Sequence, residues 1–219
     1  REVLVHWSFW ALMPGVLAPS FIGTVVFFHQ VHLAELRGWD LSVMALGYPA
    51  YAAVSVALSL LSGPLIDRVG PLALLPFYLL PIGASVSALM LPGGEAVWFL
   101  TLIGIGVSQG VVITVHGALW PTIYGTDRIG GVKALAVSGM VVSTALGPGI
   151  TGLAIDLGYP LPSQAPFMAA WCVIASIGIA AVAPRLAARL PGAESAPTER
   201  PDIAAPSGPP EDPTARARR

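Results

Sequence analysis

The sequence predicts an all-α integral membrane protein of six transmembrane helices, and three observations carry that expectation. The 219 residues are 55% hydrophobic and only 11% charged, with a mean hydropathy of +0.75. Soluble domains carry about 25% charged residues. With His counted as neutral, no Asp, Glu, Lys or Arg occurs across 3–34, 41–66, 69–94, 96–126, 134–155 and 157–184. Each of these six runs is at least 22 residues long, and a helix needs roughly 20 apolar residues to cross the hydrocarbon core.

The same composition removes several classes. A net charge of −1, with 11 scattered Lys and Arg, leaves no basic surface for nucleic acid. The single cysteine, Cys172, lies inside an apolar run, so neither a disulfide framework nor a Cys-based metal site is expected. Outer-membrane barrel strands alternate apolar and polar residues, and these runs do not. The first run is too long for a cleavable signal peptide and has no basic segment before it. Because the chain begins at Arg1, it reads as a piece of something longer.

The membrane domain is expected over 1–190, with spans at about 7–31, 41–62, 70–91, 96–122, 132–157 and 165–184. Lipid cannot satisfy backbone N–H and C=O groups, so the spans are helices. Short linkers make successive helices antiparallel. Arg1, Arg68, Arg128, Lys133, Arg185 and Arg189 collect on one side, and Arg37 lies alone on the other. That asymmetry predicts an inner-membrane (plasma membrane) protein with both termini cytoplasmic. Trp7, Trp10, Trp120 and Tyr124 are then expected at the inner boundary, and Trp39, Trp98 and Tyr159 at the outer one. Residues 191–219, rich in Pro, Ala, Ser, Glu and Arg, read as a disordered cytoplasmic tail.

Pro14, Pro19, Pro49, Pro76, Pro81, Pro121 and Pro148 fall inside or at the ends of the spans, where each removes a helical hydrogen bond and permits a bend. In the fifth span Ser143, Gly147 and Thr151 are spaced four apart, as are Ala145 and Gly149. Small residues at that spacing let helix backbones approach closely.

The most specific segment is Gly63-Pro64-Leu65-Ile66-Asp67-Arg68-Val69-Gly70, between the second and third spans. It resembles the G-x-x-x-D-R-x-G loop signature of the major facilitator superfamily of secondary transporters, and it stands at the matching place. Gly147-Pro148-Gly149 and Gly152-Leu-Ala-Ile-Asp156 look like the eleventh helix of that family. Phe27-Phe28-His29-Gln30 looks like the end of its seventh, as in the monocarboxylate and oxalate–formate carriers. Pro71 and Leu72 depart from the basic residues that continue the full signature, as carboxyl-terminal copies often do.

The resemblance implies the carboxyl-terminal half of a twelve-helix bundle, built from two inverted three-helix repeats, with an amino-terminal six-helix half as its missing partner. Gly63-x-x-Ile66-Asp67 and Gly152-x-x-Ile155-Asp156 echo each other across the two repeats. The implied activity is secondary transport of a small organic solute by alternating access, with a co-transported proton or ion where coupling exists.

Gly63, Asp67, Arg68 and Gly70 form a conformational gating loop on this reading. Gly63 and Gly70 permit a tight turn with positive φ, and Asp67 can face a helix N-terminus, whose partial positive charge favours an anion. The plainer alternative is a structural turn. Gly147, Pro148, Gly149 and Gly152 are expected in helix packing. Gln109 and His116, seven residues apart, share one face of the fourth span and suit the wall of a water-filled cavity. His29 and Gln30 are the further cavity candidates, at the end of the first span. Interhelical hydrogen bonding is the alternative for Gln109 and His116, and a plain interfacial position is the alternative for His29. No Lys or Arg is read as buried mid-span, so the anion site of those carriers is not expected in this half.

Competing classes lack their signatures. Aquaporin-type channels need Asn-Pro-Ala motifs, and this chain has no asparagine. The Pro-x-[Asp/Glu]-x-x-[Lys/Arg] repeats of mitochondrial carriers are absent. No Gly-x-Ser-x motif opening a helix accompanies His116, and no acidic or Cys/His cluster lies mid-span, so no enzyme, metal or cofactor is expected. A non-transporting six-helix membrane protein or a channel of another fold is the remaining alternative.

Overall fold

The computed structural model describes residues 6–125 and 129–188, and the described residues outside turns are helical. The expectations on Arg1, Arg128, Arg189 and the 191–219 tail lie outside the described residues. Among the described residues nine helices follow in chain order: α1 (Trp7–Phe28), α2 (Gln30–Arg37), α3 (Leu41–Ala45), α4 (Gly47–Val69), α5 (Pro71–Leu74), α6 (Leu80–Ala88), α7 (Ala96–Tyr124), α8 (Ile129–Asp156) and α9 (Leu161–Ala187). Five stretches of the described residues are long and apolar enough to cross a membrane: α1, α3 with α4 (Leu41–Val69), α7, α8 and α9.

The third expected span, 70–91, is not one such helix. Pro71, Pro76 and Pro81 recur every five residues, and each lacks the N–H that would continue the ladder. The chain therefore makes α5, a run of turns over 75–79, and α6. Shorter-range bonds hold the break, with Phe77 N–H donating to Leu74 O at 3.0 Å and Leu80 N–H to Phe77 O at 3.1 Å. Ser108 of α7 completes it, accepting from the Ile82 amide and donating to the Tyr78 carbonyl, both at 2.9 Å. A fully buried hydroxyl thus stands in for the helical bond that would have joined those two groups.

Helix ends also extend past the expected linkers. α1 stops at Phe28, and after a break at His29 the chain runs helical to Arg37, ending where Gly38 turns left-handed at φ +67°. α4 continues to Val69, so residues 63–69, expected as a loop, form its last two turns. α9 begins at Leu161, four residues before the expected start.

The long helices alternate in direction, as the bonds at each end show. At one end the Ser8 and Tyr124 hydroxyls lie 3.2 Å apart, joining the start of α1 to the end of α7. At the other, Arg37 donates to the Leu89 and Leu91 carbonyls, the Trp39 indole donates to Gly93 O, and the Asp40 amide donates to Glu95. Trp39 and Trp98, expected at the outer boundary, are buried at that end of the bundle. Trp98 is fully enclosed and donates to Met44 O at 3.0 Å, because an indole held off lipid needs a carbonyl for its N–H.

Packing follows the small residues. α4 lies most extensively on α7, and α1 on α8. A Cβ at Gly106 would stand 2.9 Å from the Tyr51 carbonyl oxygen, and one at Gly110 would overlap that of Ser55. On α8, Gly139, Ser143, Gly147 and Thr151 turn one stripe to α1, where the Ser143 hydroxyl donates to Leu17 O at 3.2 Å. A Cβ at Gly147 would sit 3.2 Å from Phe21 O. Gly152 lies against the His29 ring, whereas Gly149 faces open space on the opposite side. Backbone contact this close gives helices in lipid their dispersion energy, since lipid tails supply no hydrophobic drive between them. The remaining strong contacts join α6 to α7, α6 to α9, and α9 to α1.

Candidate functional site

α7 and α8 touch each other only sparingly, because each packs mainly on another partner. Between them, roofed by α1, lies a cavity of about 300 Å³. α7 contributes Gln109, Val112, Ile113, His116, Gly117 and Trp120, a single face at spacings of three and four. α8 contributes Lys133, Ala136, Val137 and Met140, again one face, and α1 contributes Pro19 and Ser20. The walls are apolar, and the polar groups are the Ser20 hydroxyl, the Gln109 amide, the His116 imidazole and the Lys133 ammonium.

The periodicity of α7 explains the first pair. Seven residues separate Gln109 from His116, two turns and about 10.5 Å along the axis, so the two groups sit one above the other. Gln109 is half-buried near the middle of its 29-residue helix, and it makes no hydrogen bond to a described residue. A primary amide in that position turns two donors and an acceptor toward whatever fills the cavity. His116 is anchored from behind. Its Nε2 is 3.5 Å from the Tyr78 hydroxyl, and the two rings meet edge to face at 5.6 Å. Tyr78 is buried within the proline-broken segment, so the break at 75–79 also supports the cavity wall.

His29 and Gln30 are not brought to this cavity. His29 is buried at the end of α1, its Nδ1 is 3.1 Å from Val25 O, and its ring lies against Gly152. Gln30 accepts a hydrogen bond from the Tyr48 hydroxyl of α4. At that far end of the bundle Gln30 ties α2 to α4, while His29 bonds within α1 and only packs on α8.

Asp67 and Arg68 are exposed on the last turn of α4 and make no ion pair with a described residue. Gly70 holds φ +80° and turns the chain into Pro71, the first residue of α5. Gly63, expected to share that freedom, is helical. Asp67 therefore sits where one helix ends and the next begins, separated from the cavity.

Two cavity groups were not legible as such in the sequence. Ser20 follows Pro19 in a long apolar run, and nothing in that run marks its direction. Lys133 reads in the sequence only as a marker of membrane orientation. A signal was available, because it is the only lysine in the chain, every other basic residue being arginine. Among the described residues no group of three His, Cys, Asp or Glu side chains could hold a metal ion.

Long apolar helices, close small-residue packing and a polar-lined cavity between two of them define a multi-pass membrane protein of the transporter kind. A family profile described as Major Facilitator Superfamily matches residues 3–216. The chain belongs to that superfamily, a family of transporters of small solutes and not of enzymes. No curated protein and no solved structure matches it.

Proposed function

We propose that the chain is the carboxyl-terminal six-span half of a secondary transporter, moving a small organic solute by alternating access around the α7–α8 cavity. The observation that carries this reading is Gln109, an unpartnered amide at mid-membrane depth facing an open cavity. A polar group held there is costly unless water or solute meets it.

The six-span reading counts α5 and α6 as one broken crossing. The ends of that segment support it, since Pro71 follows the end of α4 while Leu91 is joined to Arg37 at the opposite face. The packing supports inverted repeats. Exchanging the first three spans for the last three turns the α4–α7 pairing into α8–α1 and the α6–α7 pairing into α9–α1, while α6–α9 maps onto itself. Burial supports a second half. Only 11% of the apolar window of Leu41–Val69 and 17% of that of α8 is buried, against 50% for α1 and α7. On this reading an amino-terminal half closes the open side of the cavity. Arg68, Lys133 and Arg185 at one end, opposite Arg37, favour cytoplasmic termini in the plasma membrane.

Thiol accessibility tests the proposal. In a Cys172→Ser background in native membranes, Gln109→Cys should react with a small impermeant thiol reagent added from either side. Ile174→Cys, on the apolar outer face of α9, should not react. Equal protection of both positions would exclude the cavity, and reactivity from one side only would exclude alternating access.

A further inference from the structure

We infer that Tyr78 is a positioning residue for the cavity. Its hydroxyl donates to Nε2 of His116, which holds the imidazole as the tautomer protonated on Nδ1 and leaves that N–H for the solute. This rests on the cavity reading above and adds to it the hydrogen-bonding role of His116.

Geometry brings the two groups together. Tyr78 lies in the proline-broken stretch behind α7, only 2% exposed, and the Ser108 hydroxyl holds its backbone there. The phenol oxygen is 3.5 Å from His116 Nε2, and the two rings meet edge to face at 79°. Gly15 of α1 leaves room for that oxygen, since a Cβ there would stand 3.1 Å from it. The hydroxyl makes no other hydrogen bond to a described residue. Nδ1, the second ring nitrogen, is neither hydrogen-bonded to a described residue nor enclosed, and His116 lines the cavity.

Hydrogen placement selects the tautomer. A neutral imidazole has one N–H and one bare nitrogen, and a phenol has one O–H with lone pairs to spare. If Nε2 carried the proton it would donate to Tyr78, and the buried phenol hydrogen would have no acceptor among the described residues. If the phenol donates instead, Nε2 accepts and only an oxygen lone pair goes unused. A stranded buried donor is the costlier outcome. The bond made by one ring nitrogen fixes the state of the other, so Nδ1–H is left for the cavity. There it joins the Ser20 hydroxyl and the Gln109 amide, three groups able to donate to an acceptor atom on the solute. A Tyr78 that merely filled space would do so whichever nitrogen held the proton.

Nitrogen NMR of the purified protein, isotope-labelled at histidine, tests the inference at alkaline pH, where imidazole is neutral. The His116→Gln spectrum identifies the His116 signals among the four histidines. In the wild-type protein Nδ1 should be protonated at least about tenfold more often than Nε2, the scale of one stranded donor. Its proton should also show a cross-peak to water. Tyr78→Phe keeps the ring, removes the hydroxyl and should shift His116 toward the Nε2–H form that free histidine favours. A proton on Nε2 in the wild-type protein overturns the inference by itself, whether or not the variant folds. An unchanged tautomer in folded Tyr78→Phe, or an Nδ1–H without contact to water, overturns it as well. The accessibility of Gln109→Cys separates the two readings. If that cysteine reacts while Nε2 holds the proton, the cavity stands and the role of Tyr78 falls. If it is shielded, the cavity falls and the proposal with it, whichever nitrogen is protonated.

Discussion

The Ser108 hydroxyl donates to the carbonyl of Tyr78 across 2.9 Å, at the point where the proline-broken third segment passes α7. The same oxygen accepts from Ile82. One side chain from a neighbouring helix thus restores the backbone pairing that the turns over 75–79 interrupt, and it fixes the segment carrying Tyr78 behind His116.

Removing that hydroxyl should be costly. Ser108→Ala strands a buried amide and a buried carbonyl, each worth about 1–3 kcal/mol when left unsatisfied. The thermal midpoint of the detergent-solubilised protein should fall by several degrees. An unchanged midpoint would mean that Ile82 N–H closes directly onto Tyr78 O and that Ser108 is dispensable.

Close packing predicts a contrast between two glycines. Gly110→Ala drives a methyl group into the backbone of α4, whereas Gly149→Ala meets nothing within 4 Å. The first should destabilise by about 1–3 kcal/mol, the usual cost of overpacking. The second should be neutral or gain up to about 1 kcal/mol of helix propensity. Melting curves that move together would show that the α4–α7 contact is looser than described.

Topology is open to a direct check. Gly94 and Gly130 are both exposed with free space around them, at opposite ends of the bundle. In a Cys172→Ser background, Gly94→Cys should label with an impermeant reagent on intact cells, and Gly130→Cys only after permeabilisation. The reverse pattern would invert the orientation derived from the basic residues.

Asp67 separates two roles for the end of α4. As a latch toward a helix N-terminus it contributes about 0.3–1 kcal/mol, enough to shift a balanced equilibrium several-fold and too little to unfold the bundle. Asp67→Asn should therefore reduce transport while folded protein and the thermal midpoint stay near wild type. Parallel loss of folded protein and transport would make the residue a structural turn element.

Much of this architecture was legible because lipid imposes simple rules on sequence. Charge-free runs longer than 20 residues must be helical, so α1, α7, α8 and α9 could be read from the positions of Asp, Glu, Lys and Arg. The stripe at Ser143, Gly147 and Thr151 was likewise readable as a packing face. The third segment was less so, because hydropathy counts Pro76 and Pro81 as mild interruptions. Their effect on the helix depends on whether a neighbour can satisfy the freed groups, and that neighbour, Ser108, is 26 residues from Ile82. The end of α4 differed for a similar reason. Gly63 and Pro64 look like a turn in isolation, yet the helix continues through them to Gly70, whose positive φ ends it.

The site divides along the same line. Local periodicity determined that Gln109 and His116 share a face, since two turns of one helix need no knowledge of any other. Only the tertiary structure decided that Ser20 and Lys133 meet them, and that His29 and Gln30 do not. Those outcomes depend on how α1, α7 and α8 pack. The packing in turn follows from which glycines find backbone to press against, a relation between helices that no single run of sequence contains.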